Sequence, residues 1–242
     1  MRITLTSDVD TIVLSDSFVW RHDVWGIKKD GIQGLLGTPQ YKESFESIPQ
    51  QDGDYWPSRL TQKGRTITLD CEANRLSSVE AAQAVRRVCD LFGRRLTITV
   101  EDANGRYQLT GALADDPSPT MHRREQGFGF GLVLYCPDPH KYGDWASFPA
   151  SGGSIRVSNA GNVATWPIVE ADSVSSFTLD LNGQRVVWSG SPSWLRLDFA
   201  DMMPSQGVVG VDDAFRIPPG DSTVNASYSG SGLRMLVRPA WR

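Results

Sequence analysis

The residues able to do chemistry are few and scattered. His22, His122 and His140 are the only histidines, and no two stand at the helical spacing of a paired metal ligand, so a metal triad is not expected. Asp8 and Asp10 share a short loop without the further oxygen ligands of a calcium loop, and read as a solvated turn. In Asp115-Asp116 and Asp212-Asp213 adjacent side chains diverge instead of flanking a substrate bond. Cys71, Cys89 and Cys136 are an odd set with no CxxC spacing, so buried thiols are expected in place of a disulfide framework or zinc site. Gly127-Phe128-Gly129-Phe130-Gly131 contains GxG but lies inside a strand pattern with no helix to receive a phosphate. No GxSxG elbow or Walker loop occurs. Asn225-Ala226-Ser227 matches a glycosylation sequon, relevant only in a secretory pathway. These residues predict no enzyme, no cofactor and no metal site. What remains is aromatic: Trp166, Trp188, Trp194 and Trp241 are candidates for stacking on a sugar, although tryptophan in a small β-sandwich more often belongs to the core.

Charge narrows the partners. The formal net charge of -4 divides as 17 basic against 20 acidic residues through Trp145 and 7 against 8 beyond it, so neither part offers the basic face of a duplex-gripping protein. No apolar run approaches the roughly 20 residues of a membrane span, and the N-terminus lacks the apolar centre of a signal peptide, so synthesis and folding in the cytoplasm are expected.

Stepping along the chain, Ile3 and Leu5, then Ile12 and Leu14, alternate as an opening antiparallel pair. From Lys28 to Gln51 the pattern fails, yet Leu35, Leu36, Tyr41 and Phe45 are too apolar for a free linker. The segment reads either as an arm docking on a neighbouring subunit or as a long surface loop with a few residues tucked under it. A strand follows through Ile67, Leu69 and Cys71. Then comes one convincing helix, with Ser77 and Glu80 as a capping box, Ala81, Val85, Val88, Cys89 and Phe92 on one face, and Gly93 at its end. Leu96 to Val100, a hairpin at Asn104-Gly105, and Phe128 to Leu134 complete an α+β unit. Pro137-Asp138-Pro139 then removes two donors and fixes two φ angles, making a stiff hinge between two folding units.

Beyond the hinge, Ser151-Gly152-Gly153 reads as a flexible tether. Short strands follow at Ile155-Val157, Ile168-Ala171, Phe177-Leu181, Val186-Trp188, Trp194-Phe199 and Leu233-Val237, with turns at Asn182-Gly183 and Ile217-Pro218-Pro219-Gly220. No helix is evident, and the pattern is that of a β-sandwich.

Together these pieces resemble the distal tail proteins of long-tailed phages, over nearly the whole chain. Three segments carry the resemblance: Ile48-Pro49-Gln50-Gln51-Asp52-Gly53-Asp54-Tyr55; the helix with Leu96 to Val100 and Asn104-Gly105-Arg106-Tyr107; and, most specifically, Leu132-Val133-Leu134-Tyr135-Cys136-Pro137-Asp138-Pro139-His140-Lys141-Tyr142. Asn159-Ala160-Gly161-Asn162, Trp166-Pro167 and Ile217-Pro218-Pro219-Gly220 look like turns of that family's galectin-like domain. Gln50 and Gln51 depart from the Gly-Arg that relatives often place before Asp-Gly.

The resemblance implies a mainly β chain with one helix. Residues 1–145 would be a ring-forming, tail-tube-like domain, a β-barrel or sandwich plus helix, with an arm at about 28–51; residues 146–242 would be a galectin-like β-sandwich. It implies a homo-hexamer at the virion tail tip, joining the tail tube protein to the tail-associated lysin or receptor-binding tail-tip proteins, with DNA passing through the lumen unbound. Two other readings compete: a carbohydrate-binding adhesin using the four tryptophans, and a hydrolase hidden in the acidic loops.

Overall fold

Alternating side chains write the first sheet. In this computed structural model, which describes residues 1–16, 24–75, 77–122 and 126–242, β1 (Arg2–Thr6) and β2 (Thr11–Ser15) pair with Ile3 opposite Leu14 and Leu5 opposite Ile12, all four buried. β3 (Val24–Gln33) follows, so the expected arm does not begin at Lys28. Asp30 takes φ 59, and the pairing slips between Ile27–Cys71 and Ile32–Leu69; a bulge absorbs the Asp30-Gly31 break and the strand continues.

β4 (Arg65–Asn74) faces the core with every second residue, from Arg65 through Ile67, Leu69, Cys71 and Ala73. Helix α1 (Ser78–Cys89) has the expected capping box, a device contributing about 1 kcal/mol. Its buried side is Ala81, Ala84 and Val88, continued by Leu91; Cys89 and Phe92 are exposed, contrary to the expected stripe. The helix ends at Cys89 with Asp90 as its C-cap, so Phe92 lies beyond it, while Cys89 falls one helical step past Val88.

β5 (Leu96–Asp102) and β6 (Gly105–Leu113) form the expected Asn104-Gly105 hairpin; β7 (Thr120–Met121) and β8 (Gly127–Cys136) follow. The order β6-β5-β1-β2-β3-β4-β8 closes on itself through Ala112–Tyr135 and Leu113–Leu134, giving a seven-stranded barrel with β7 on the outer edge of β8. Among the described residues all its pairings are antiparallel except the single β2–β3 bridge. Trp25 meets Phe128 and Phe130 edge-on in the interior. This first compact unit runs Met1–Lys141, and the short strand β9 (Lys141–Tyr142) straddles its end.

The second unit, Tyr142–Arg242, is all strand and turn among the described residues. β10 (Ala146–Pro149) and β11 (Ser154–Asn159) are joined by a tight turn in which Ser151 and Ser154 exchange backbone hydrogen bonds and Gly152 and Gly153 take positive φ. The expected tether is therefore a structured turn. β12 (Ile168–Leu181) and β13 (Gln184–Asp198) are each one long strand where the sequence predicts two. Irregularities between Ala171 and Ser176 let β12 pair with β16 (Arg234–Val237) through Ile168–Glu170 and with β15 (Gly220–Ser231) through Ser173–Asp180. β13 adds β14 (Val208–Asp212), β15 adds β11, β16 adds β10, and the chain ends in β17 (Ala240–Trp241). One core fills the unit, with Phe177 stacked on Trp188 and Phe199 edge-on to Phe215.

Candidate functional site

The candidates of the sequence sort into those used up by structure and those left on the surface. Asp8 and Asp10 are ion-pair acceptors: Arg94 reaches Asp8 at 2.8 Å, and Arg87 grips Asp10 with Nε and Nη2 at 2.8 and 2.9 Å. The Arg87 hydrogen bonds hold the Asp10 carboxyl below its ordinary value. Asp116 accepts from the Ser118 backbone and hydroxyl within its turn. Cys71 and Cys136 are buried, and burial pushes them up to about 12 and about 11; Cys89 is exposed, so the expectation of three buried thiols fails for it. His22 lies outside the described residues, and His140 belongs to a turn. Among the described residues no group of three or more His, Cys, Asp or Glu is arranged to hold a metal ion.

The four tryptophans do not form one surface. Trp188 is fully buried, and its Nε1 donates to the Gln206 carbonyl at 2.9 Å, so no ring face is left for a sugar. Trp166 is partly buried against the core, with the Arg216 guanidinium 4.4 Å over its ring. Trp241 is half-buried, while Trp194 is exposed at 52%.

The Pro137-Asp138-Pro139 segment is held from both sides. Asp138 accepts from the His140 backbone N–H and lies 2.8 Å from His140 Nδ1, closing a turn. Pro139 is buried, and its carbonyl accepts from Arg65 Nε at 2.9 Å. Arg65 is 2% exposed; its Nη1 also donates to the carbonyls of Gly34, Leu35 and Gly37 at 2.8, 3.2 and 2.7 Å. Burial pushes its pKa down, and the neighbouring Lys141 is lowered by burial and by the Arg65 charge. One guanidinium thus ties the chain leaving β3 to the segment leaving β8. Sequence reading missed Arg65, although its position in phase with Ile67, Leu69 and Cys71 marked it as an inward-facing charge.

Between β3 and β4 the chain runs out and back. The backbone N–H of Lys42 donates to the Thr61 carbonyl, that of Lys63 to the Gln40 carbonyl, that of Tyr55 to the Glu46 carbonyl and that of Ile48 to the Gly53 carbonyl, so residues 40–63 form an irregular hairpin whose outer turn is Pro49-Gln50-Gln51-Asp52. Glu43 fastens the two legs by accepting from both the backbone and the hydroxyl of Thr61. Gly34 sits at the root with φ 75, where an added Cβ would run into the Thr66 carbonyl. Leu36, Tyr41 and Phe45 are exposed, and Phe45 meets the exposed Trp56 across the hairpin at 6.3 Å. Leu35 is buried in the barrel core, so unlike these it is not available to a neighbour. Beneath the hairpin lies an open cleft of about 550 Å³ lined by Gly34, Gly37, Lys42, Lys63, Arg65 and Tyr135, among others, and by no carboxylate.

By sequence, no protein-family model and no curated protein matches the chain. Solved structures do. The Dit protein of phage SPP1, described as a paradigm of the hub adsorption apparatus in phages infecting Gram-positive bacteria, is 14% identical, with a TM-score of 0.72 over 99% of each chain. A chain of the phage P2 baseplate in its activated conformation matches in two structures, with calcium and with strontium. Its TM-scores are 0.57 and 0.58 and its identities 10% and 11%, over 98% of this chain and 97% of the other. The chain therefore has the fold of a phage adsorption-apparatus hub protein from end to end.

Proposed function

We propose that this protein is a structural component of a phage tail tip, a distal tail protein. Six copies form a ring that joins the tail tube to the tail-associated lysin or receptor-binding proteins and lets DNA through. The observation that carries the reading is end-to-end likeness to the SPP1 hub protein, spanning both units instead of a single common module. Three features support it. The strands of the first unit are largely taken up in closing the barrel, and the exposed hairpin of residues 40–63 supplies an element outside it for assembly. The all-β second unit fits a galectin-like domain. The mild net negative charge lets DNA slide without being gripped.

In this reading the first unit builds the ring, Leu36, Tyr41 and Phe45 meet the adjacent subunit, and Pro137-Asp138-Pro139 is the stiff exit toward the second unit. The protein needs no catalytic group. Negative-stain imaging and light scattering of the purified full chain test it: six-fold rings with a central hole and a six-copy mass are expected, whereas a monomer at the highest attainable concentration would sink the proposal.

A further inference from the structure

We propose that the cleft at the root of the hairpin receives the acidic hairpin tip of a second copy of this chain. The inference rests on the ring reading above and assigns its contact. Lys42, Lys63 and Arg65 line the cleft, no carboxylate does, and none of the three is in an ion pair among the described residues. Arg65 adds a buried positive charge with no acid beside it. Its guanidinium is buried against four backbone carbonyls and no acid, and Nη2 is buried without a hydrogen-bond partner. Carbonyl dipoles orient a cation but do not neutralise it, so positive potential persists in the half-enclosed space beside it. Two lysines at the rim concentrate that potential.

The complementary surface is on the same hairpin. From residue 43 to residue 58 there is no basic residue, and Glu46, Asp52 and Asp54 are exposed and in no ion pair among the described residues. Eight extended steps from Tyr41 to Pro49 put the tip up to about 25 Å from its own root, at about 3.3 Å per residue. While the ladder of hydrogen bonds between the legs holds, the tip cannot fold back into its own cleft. Root and tip are therefore a cationic socket and an anionic plug separated within one chain. Two different surfaces meeting head to tail make the heterologous contact that closes a ring.

The test uses the full chain with two charge-reversed variants, Lys42→Glu/Lys63→Glu at the root and Asp52→Lys/Asp54→Lys at the tip. All four residues are exposed, and circular dichroism checks that each variant folds. Sedimentation should show each variant alone dissociating at a concentration at least tenfold above wild type. A one-to-one mixture should reassemble, because wild-type tips then find wild-type roots and reversed tips find reversed roots. If the wild type forms rings and the root variant assembles at the same concentration, the socket is wrong while the ring reading stands. If the wild type stays monomeric, the ring reading fails and takes the socket with it. Micromolar binding of inorganic phosphate to the tip variant in calorimetry would also overturn the inference, by making the cleft a small-anion site.

Discussion

Arg65 Nε holds the Pro139 carbonyl at 2.9 Å across 74 residues of chain, while its Nη1 holds three carbonyls on the segment leading into the hairpin. The guanidinium fork satisfies acceptors that no shorter or less branched side chain spans. Replacing it with methionine strands these carbonyls in a buried setting, and the first unit should lose roughly 2–4 kcal/mol. Arg65→Lys keeps the charge but not the fork and should lose more than half as much. Urea unfolding measures both, and hydrogen exchange should rise first at residues 34–37 and 139–141. Unchanged midpoints would remove Arg65 from its role as the tie.

The Arg87–Asp10 pair fastens the last turn of α1 to the β1–β2 turn on the surface. Because Arg87 lowers the folded pKa of Asp10 from 3.8, its contribution is present above the unfolded value and disappears as pH falls through the lower folded one. Arg87 is exposed and Asp10 partly so, and such a surface pair contributes only about 0.5 kcal/mol. Asp10→Asn should cost that much at pH 7 and almost nothing at about pH 2; a cost that persists undiminished in acid would point to packing instead.

Thiol reactivity should be selective. In the native protein at pH 8, iodoacetamide should modify Cys89 alone, and slowly, since burial and nearby acids raise its pKa as well. Cys71 and Cys136 should react only after denaturation. Peptide mass spectrometry reads this directly, and native labelling of Cys136 would mean that the end of β8 opens.

Trp188 and Trp194 differ by six positions and should behave oppositely. Trp188→Ala removes a buried ring stacked on Phe177 and leaves the Gln206 carbonyl without its donor, costing about 3–5 kcal/mol. Trp194→Ala should leave stability within about 0.5 kcal/mol of wild type. Thermal unfolding distinguishes them. Screening the intact protein on cell-wall glycans with Trp194→Ala as the control tests the adhesin reading, since Trp194 offers the most exposed ring of the four candidates.

Legibility in the sequence followed the regularity of the physics. β1, β2, β4, β5, β6, β8 and the capping box were readable because alternation and capping are local rules. β3 was not, because its bulge at Asp30-Gly31 resembles a turn until the partner strand shows the ladder resuming at Ile32. Long β12 and β13 were read as pairs of short strands because the polar stretch Asp172–Ser176 breaks alternation where the pairing shifts. The apolar residues of 28–51 allow either an arm or a surface loop and do not reveal the return leg that pairs Lys42 with Thr61, and Leu35, identical in type to Leu36, turns inward. The β4 alternation placed Arg65 inside; what it would bind depended on carbonyls distant in sequence. Gln50 itself takes φ 61, the left-handed conformation that glycine adopts without strain, which no alternation pattern foretells.

β12 pairs with β13 along one side and with β15 and β16 along the other, and β13 also pairs with β14, so four ladders of the second unit run through these two strands. Such a unit has no natural line along which to come apart. Loosening β16 at one end or β14 at the other should be felt as a loss of global stability, and mechanical load applied at its terminus should meet one all-or-none barrier instead of a series of yielding steps.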